Sequence, residues 1–392
     1  MTEDAFPFPR DEYRDRARRV RAELERRGVD VLYVISPANM CYLTGFESIW
    51  YPPRAPLGVV ITRDEESLVF VDYERHRTLV EMTAHFDEAV FFTYETAVDS
   101  VVDAFVSRGW TGGTVGIEWS SRSPSPPLVR EVADRLAARG AQIVDGDWIV
   151  DRVRLVKSPR ELECIRQASA VVDAAFLALP DEVRPGMTEL QVAARLNGLM
   201  ADAGGEEAAI RTMVSAGPHV WCRTHGAPGR RPVERGDVMY VDACGVVNRY
   251  HVDLCRTFAI GEDHPEAREI LEVTAGSVLE VQKAVRPGDS LDVAQRVAED
   301  YVFSRFPKES VWWVGGYALG IALPPDWVGH TYLSNDAFEQ FTWEPGYVTN
   351  YENILFDRDK GFTASYMETL LMTEQGIEIL SNVPRTLTVI SV

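Results

Sequence analysis

Apolar and polar residues follow one another along the first 155 residues in a pattern that predicts helices and strands in turn. Apolar positions recur at helical spacing in three segments that each end on a glycine, a residue suited to stopping a helix: 12–28, 96–109 and 125–140. Short apolar runs typical of buried strands occupy 29–36, 57–62, 67–72 and 114–119. This alternation predicts a small α/β domain covering residues 1–155.

From residue 156 onward the pattern changes to long amphipathic helices that flank strand-like runs. The helical segments are 160–179, 187–204, 265–285 and 290–306. Ser158 with Pro159 marks the start of the first helix, and Thr188 is a suitable N-cap for the second. The strand-like runs are 209–217, 236–245, 249–261, 346–356 and 365–373. Two helices followed by strands occur twice, so residues 156–392 are predicted to form a second domain of two similar halves, and the chain as a whole is predicted to be α+β.

The chain of 392 residues is acidic, since 40 Lys and Arg residues against 60 Asp and Glu residues give a net charge of −20. That sign argues against nucleic acid or an anionic membrane surface as the main partner. No apolar run is long enough to span a membrane, and the charged first residues predict no signal peptide. Five cysteines without a CxxC pair suggest neither a disulfide framework nor a zinc knuckle. We therefore expect a cytoplasmic protein.

Two aspartates, Asp242 and Asp253, lie in consecutive strand-like runs. A turn centred on Val247 and Asn248 would place them directly opposite each other across an antiparallel hairpin, with Cβ atoms about 5 Å apart. Like charges at that distance need compensation, which a divalent cation or a shared proton can supply. In the other interpretation the register differs by one residue and both aspartates face solvent.

Two further acids, Glu352 and Glu368, lie inside apolar strand-like runs of the same domain. Burying a carboxylate there is costly unless it has a partner. The four carboxylates together therefore predict a common site. Clusters of oxygen ligands suit hard or borderline divalent ions such as Mn²⁺, Mg²⁺ or Fe²⁺.

Several segments together resemble the creatinase, prolidase and aminopeptidase P family, whose catalytic domain has the pita-bread fold. The segments are SPANMCYLTGF at 36–46, RLVKSPRELECIRQASAVVDAAF at 154–176, RRPVERGDVMYVDACG at 230–245, PGYVTNYEN at 345–353 and METLLMTEQGIEIL at 367–380. The resemblance covers nearly the whole chain. It implies a creatinase-type N-terminal α/β domain and a C-terminal pita-bread domain with pseudo-twofold halves. It also implies a homodimer in which the N-terminal domain approaches the partner's active site.

Metal-using members of that family place two aspartates, one histidine and two glutamates around a dinuclear centre. The resemblance therefore assigns Asp242, Asp253, Glu352 and Glu368 as metal ligands. The histidine is absent, because Tyr317 in GGYALGIAL stands at its position. A neutral phenol is a poor substitute for imidazole. We therefore expect either no cofactor or a divalent metal (Mn, Fe or Zn).

Members that act on small non-peptide substrates, such as creatinase and the ectoine hydrolases, have lost metal ligands and cleave C–N bonds without the metal. The segment GYALGIALPPDW at 316–327 resembles this branch more than the peptidases. The resemblance places His225 near the substrate as a proton shuttle, a role that imidazole fills well near neutral pH. An ordinary loop histidine is the other interpretation of His225. His219 and His251 are second candidates.

Aromatic faces bind delocalised cations such as amidinium and guanidinium groups. Tyr317, Trp327 and Trp50 are therefore predicted to line a substrate pocket, together with His251. Arg223 is predicted to bind a carboxylate of the substrate.

These features predict a hydrolase that cleaves a C–N bond in a small polar amidine, guanidine or amide substrate. His225 and the carboxylates would act as acid and base groups. The main alternative is a metal-dependent Xaa-Pro dipeptidase or aminopeptidase with an altered ligand set. A metal-dependent lyase on the same fold and an inactive pita-bread binding module are further alternatives.

Overall fold

The computed structural model describes residues 6–218, 220, 223–324, 327 and 341–391. The chain divides into two compact units. One unit comprises Met1–Arg154 with Leu323–Asp326, and the other comprises Leu155–Ala322 with Trp327–Val392. Helices and strands occur in both units, which confirms the predicted α+β class. Within the described residues, no helix combines the length and the apolar character that crossing a membrane requires.

The N-terminal unit is an α/β sheet domain. Its helices are α1 (Arg10–Arg27), α2 (Pro37–Thr44), α3 (Arg77–Thr83), α4 (Ala97–Ser107), α5 (Pro126–Ala137) and α6 (Ile149–Leu155). Its strands are β1 (Val31–Val34), β2 (Gly58–Thr62), β3 (Leu68–Tyr73), β4 (Glu88–Phe92), β5 (Thr114–Ile117) and β6 (Gln142–Asp145). Helix α1 ends at Gly28, which has a left-handed φ of 65° and caps the helix as predicted.

The six strands form one mixed sheet in the order β4-β3-β2-β1-β5-β6. The β1–β2 and β2–β3 pairs are antiparallel, and the other three pairs are parallel. Every residue of β1, β2 and β3 is buried. Continuous burial of this kind is typical of strands covered on both faces.

The C-terminal unit consists of four long helices and a large sheet. Its helices are α7 (Pro159–Glu182), α8 (Glu189–Asp202), α9 (Pro265–Ala284) and α10 (Asp292–Phe303). Its strands are β7 (Met213–Ala216), β8 (Val238–Val247), β9 (Tyr250–Ile260), β10 (Val311–Gly315), β11 (Val348–Asp357), β12 (Phe362–Thr373), β13 (Gly376–Ile379) and β14 (Thr388–Ile390). As predicted, two helices precede each set of strands.

The main path of this sheet runs β10-β11-β12-β9-β8-β7, so the two sets of three strands meet at the β12–β9 pair. Helix α7 packs on β8 and β9, and α9 packs on β11 and β12. The α7 contact is close, because a Cβ atom at Gly245 would lie 2.1 Å from the carbonyl oxygen of Ala168. One face of β8, β9, β11 and β12 is thus covered by helices, and the acidic residues of the site lie on the other face.

Both helices at the start of this unit begin at the residues that the sequence indicates. Ser158 accepts a hydrogen bond from the backbone N–H of Glu161, whose side chain bonds back to the Ser158 N–H. Thr188 and Gln191 form the same reciprocal arrangement at the start of α8. These capping boxes satisfy backbone donors that the first helical turn leaves unpaired.

Candidate active site

Asp242 lies in β8 and Asp253 in β9, which pair as one long antiparallel hairpin. The register sets Asp242 opposite Cys255 and Asp253 opposite Cys244. The predicted pairing of the two aspartates is therefore wrong by two residues, and they are diagonal neighbours. A shift of two residues keeps both side chains on the same face, because side chains alternate with a period of two.

The turn of this hairpin explains the shift. Its two central residues are Asn248 and Arg249, with left-handed φ values of 50° and 64°, and it closes with Val247 opposite Tyr250. The carboxylate of Glu206 accepts hydrogen bonds from both backbone N–H groups of the turn. Because Glu206 is distant in sequence, the residues of the hairpin alone do not reveal where it turns.

Glu352 and Glu368 lie on opposite faces of the sheet. The register of β11 and β12 sets Glu352 opposite Met367, so these two side chains share a face, and Glu368, one residue further on, faces the other way. There its Oε1 atom lies 2.6 Å from Nη2 of Arg256 and accepts a hydrogen bond from the Tyr366 hydroxyl. The expectation that Glu368 joins the other three carboxylates is therefore wrong, because strand alternation separates it from them.

A cavity of about 550 Å³ opens over the face that carries Asp242, Asp253 and Glu352. All of the residues that line it belong to the C-terminal unit. Besides the three acids, its wall includes the predicted site residues His225, Tyr317 and Trp327. The structure therefore brings six of the residues singled out in the sequence to one cavity.

Asp253 and Glu352 are joined by neutral hydrogen-bond donors. The side-chain amide of Asn350 donates to Oδ2 of Asp253 at 3.1 Å and to Oε1 of Glu352 at 2.7 Å. The Tyr317 hydroxyl donates to the same Asp253 oxygen at 3.2 Å. Two neutral donors therefore lie among carboxylates that would otherwise repel each other.

Asp242 lies beside its acidic neighbour Asp253, close enough for the two carboxyl groups to influence each other's pKa. The hydroxyl of Tyr240 donates to Oδ2 of Asp242 at 3.0 Å, and the thiol of Cys244 lies 3.6 Å from Oδ1 of Asp253.

Burial raises the pKa of each acid in the cluster, and repulsion between the acids adds to the rise at Asp242 and Glu352. Burial, with Asp253 and Glu352 nearby, raises the pKa of Asp242 well above its usual value. Burial raises the pKa of Asp253, and burial together with Asp253 raises the pKa of Glu352 to about 7. Burial also raises the pKa of Tyr317 well above 10, so its hydroxyl keeps its proton and acts as a donor.

The dinuclear metal centre that the resemblance implies does not fit these residues. Tyr317 is a protonated phenol at the position of the histidine ligand, and Glu368 faces away from the cavity. Met367 faces the cavity beside Glu352, and a thioether is a poor ligand for hard divalent ions. Asn350 binds two of the three remaining carboxylates. In the part of the chain that the structure describes, no group of three or more His, Cys, Asp or Glu residues is arranged to hold a metal ion.

His225 lies on the loop between β7 and β8, where its ring meets that of Trp312 edge-on at 4.7 Å. Arg223 holds this loop in place. Its guanidinium group lies 2.9 Å from the buried carboxylate of Glu189 and donates to the carbonyl oxygen of Ala227. The predicted role of Arg223 in binding a substrate carboxylate thus competes with an existing ion pair, and the residue supports the His225 loop instead.

His251 is fully buried, and the backbone occupies both of its ring nitrogens. Nδ1 donates to the carbonyl oxygen of Arg249 at 2.8 Å, and Nε2 accepts from the N–H of Ala209 at 3.0 Å. Burial and the nearby Arg249 lower the pKa of His251 to about 3, which keeps the ring neutral. Its edge-on contact with Trp327, at 5.4 Å, makes it a support for the cavity wall.

The remaining predicted residues differ in how they relate to the cavity. Trp327 donates through Nε1 to the Tyr317 hydroxyl at 3.4 Å. Trp50 belongs to the N-terminal unit, where it is 53% exposed and contacts His76 edge-on. His219 lies outside the described residues.

Several partners of the buried acids were missed by the sequence reasoning, although a simple signal marks them. Tyr240 and Cys244 lie two residues before and after Asp242, and Asn350 lies two residues before Glu352. In a strand, residues two apart share a face. Period-two counting from each buried acid would therefore have identified their hydrogen-bonding partners.

Both parts of the chain match known protein families. The family model described as "Metallopeptidase family M24" matches residues 163–374, and the one described as "Creatinase/Prolidase N-terminal domain" matches residues 16–156. The chain belongs to the M24 family and has its pita-bread fold, as the resemblance implied.

Relatives in the family differ in the reaction that their names state. An ectoine hydrolase of Halomonas elongata is 25% identical over 99% of both chains. An Xaa-Pro dipeptidase of Pyrococcus furiosus is 24% identical over 93% of this chain and 97% of its own length. Among solved structures, a prolidase from Thermococcus sibiricus superposes with a TM-score of 0.84 at 18% identity, covering 96% of this chain and 99% of that one. The shared fold therefore leaves the substrate open.

Proposed function

We propose that this M24 hydrolase cleaves a C–N bond in a small polar amidine, guanidine or amide without a metal ion. The observation that supports the proposal most strongly is the bonding of Asp253 and Glu352 to the neutral donors Asn350 and Tyr317. A side chain that donates hydrogen bonds takes the place of a metal ligand there. Carboxylates held in this way accept hydrogen bonds from an N–H-rich substrate.

In the proposed reaction, water is added across the C–N bond. His225 removes a proton from water as its oxygen bonds to the electrophilic carbon, and the same proton is then passed to the leaving nitrogen as the C–N bond breaks. Asp253 and Glu352 orient the substrate nitrogen through hydrogen bonds. The rings of Tyr317 and Trp327 form an apolar wall that excludes bulk water.

The test is hydrolysis by protein that has been dialysed against chelator. The panel contains ectoine, creatine, small guanidino acids and Xaa-Pro dipeptides. We expect turnover of an amidine or guanidine compound at full rate after chelation, and a loss of about 100-fold or more in kcat for His225→Asn. His264→Asn is the matched control, because His264 caps α9 and Asn is a good N-cap.

Hydrolysis of Xaa-Pro dipeptides that disappears on chelation and returns with Mn²⁺ would contradict the proposal. It would support the second candidate, a metal-dependent Xaa-Pro dipeptidase. One observation favours that candidate, since Oε2 of Glu368 is a buried carboxylate oxygen without a hydrogen-bond partner. A single such oxygen on the far face of the sheet is a weak cation site.

A homodimer in the cytoplasm is also part of the proposal. The resemblance to the pita-bread family supports the dimer. Cys41, Cys164, Cys244 and Cys255 are buried free thiols, which suits a reducing compartment.

A further inference from the structure

One arginine in the wall of the cavity has no role in the reaction described above. Arg211 lies two residues before Met213, and Met213 is paired with Asp242 at the edge of the sheet. Arg211 precedes the first residue of β7, and its exposed side chain lines the same cavity as Asp242.

The guanidinium group of Arg211 makes no hydrogen bond or ion pair with any other residue in the described part of the chain. Its neighbours differ in this respect. Arg223 is paired with Glu189, and Arg231 with Asp237 at 2.6 Å. In a chain with an excess of acid, an unpaired arginine beside three carboxylates is a group available for an anion.

Arg211 is also the only Lys or Arg among the described residues that line the cavity. The acids that line the cavity are Asp242, Asp253 and Glu352. The acids have their own partners in Asn350, Tyr317 and Tyr240, so they do not neutralise the arginine. The cavity thus has an acidic region and one separate cationic group.

We propose that Arg211 binds a carboxylate of the substrate and thereby selects zwitterionic molecules. The cationic amidine or guanidinium end would contact Asp253 and Glu352, and the carboxylate would form a bidentate pair with Arg211. A cavity of about 550 Å³ accommodates a molecule of this size. This inference rests on the proposed function in placing the substrate in this cavity.

The experiment measures binding, so that it does not depend on turnover. Each carboxylate probe (ectoine, creatine and 4-guanidinobutyrate) is compared with its own primary amide by calorimetry on the full chain. We expect at least one carboxylate to bind wild type more tightly than its amide by about 10- to 100-fold. Arg211→Gln should remove that difference and leave affinity for the amide unchanged, and Arg211→Lys should restore part of it.

Arg230→Gln is the matched control, because Arg230 is an exposed arginine that does not line the cavity. It should leave both affinities unchanged. The inference is overturned if no carboxylate binds wild type more tightly than its amide, or if Arg211→Gln weakens both ligands equally. Failure of the proposed function would be a separate result. It would appear as turnover of dipeptides that chelation abolishes, and the binding measurements on the Arg211 variants do not affect it.

Discussion

Two sites of this protein, one in each unit, bury charge in different ways. In the N-terminal unit Arg16 is 1% exposed, and its guanidinium lies 3.2 Å from the carboxylate of Glu12. Arg16 also donates to the carbonyl oxygen of Tyr42 and lies over the rings of Phe8 and Tyr13. In the C-terminal unit three buried acids lie together, and the groups that donate hydrogen bonds to them are neutral.

The difference separates charges that serve the fold from charges that serve a site. In a buried pair of opposite sign each charge compensates the other, so the pair needs no ligand. A cluster of like charges costs stability and is typical of sites where a ligand or a reaction uses it. Two substitutions should therefore affect the two sites in different ways.

The largest expected effect comes from breaking the paired site. Glu12→Ala removes the carboxylate that is paired with the buried Arg16 guanidinium, and we expect it to lower the free energy of unfolding of the N-terminal unit by about 3 to 5 kcal/mol. Amide hydrogen exchange in β1 and β2 measures this loss in that unit alone.

The matched control for Glu12→Ala is Glu74→Ala, which breaks an ion pair with Arg77 in which both side chains are nearly half exposed. It should lower the free energy of unfolding far less than Glu12→Ala does, because solvent screens the exposed pair. If both variants lowered the free energy of unfolding equally, burial would not explain the stability of the Glu12–Arg16 pair. The contrast between the two sites would then fail.

A smaller effect is expected from the pH dependence of the acid cluster. The pKa of Glu352 is raised from its usual 4.5 to about 7, so the folded state holds a proton that the unfolded state releases. The resulting stabilisation is complete below pH about 4.5 and is lost as the pH rises through about 7, by up to about 3 kcal/mol. The thermal midpoint of chelator-treated protein should therefore fall over this range.

Glu352→Gln isolates the contribution of this one group. The variant has no titrating group at this position. As the pH rises from 4.5 to 7.5, the thermal midpoint of wild type should therefore fall relative to that of Glu352→Gln. A constant difference from pH 4.5 to 7.5, or one that changes in favour of wild type, would show that Glu352 titrates normally.

Much of the fold could be predicted because its signals are local. The apolar spacing, Gly28 and the capping residues Ser158 and Thr188 depend on neighbours within a few positions. Strand β10 was missed, since its residues 311–315 form a short apolar run without clear alternation.

The site was harder to predict because it depends on register. The hairpin turns at Arg249 because the distant Glu206 binds its backbone, and one residue along β12 decides whether Met367 or Glu368 faces the cavity. A sequence motif shows that an acid is present, but it does not show which face of the sheet the side chain occupies. Met367 is therefore the side chain that lies beside Glu352 on the cavity face, and the motif did not indicate it.

The most direct test of the central claim is the metal content of protein purified without chelator. The wild type should contain a substoichiometric amount of Mn, Fe or Zn. The double variant Tyr317→His with Met367→Glu supplies an imidazole and a fourth carboxylate on the cavity face, and it should retain added Mn²⁺ through dialysis. Nearly two equivalents of metal in the wild type, with no gain in the double variant, would contradict the claim that hydrogen-bond donors have replaced the metal.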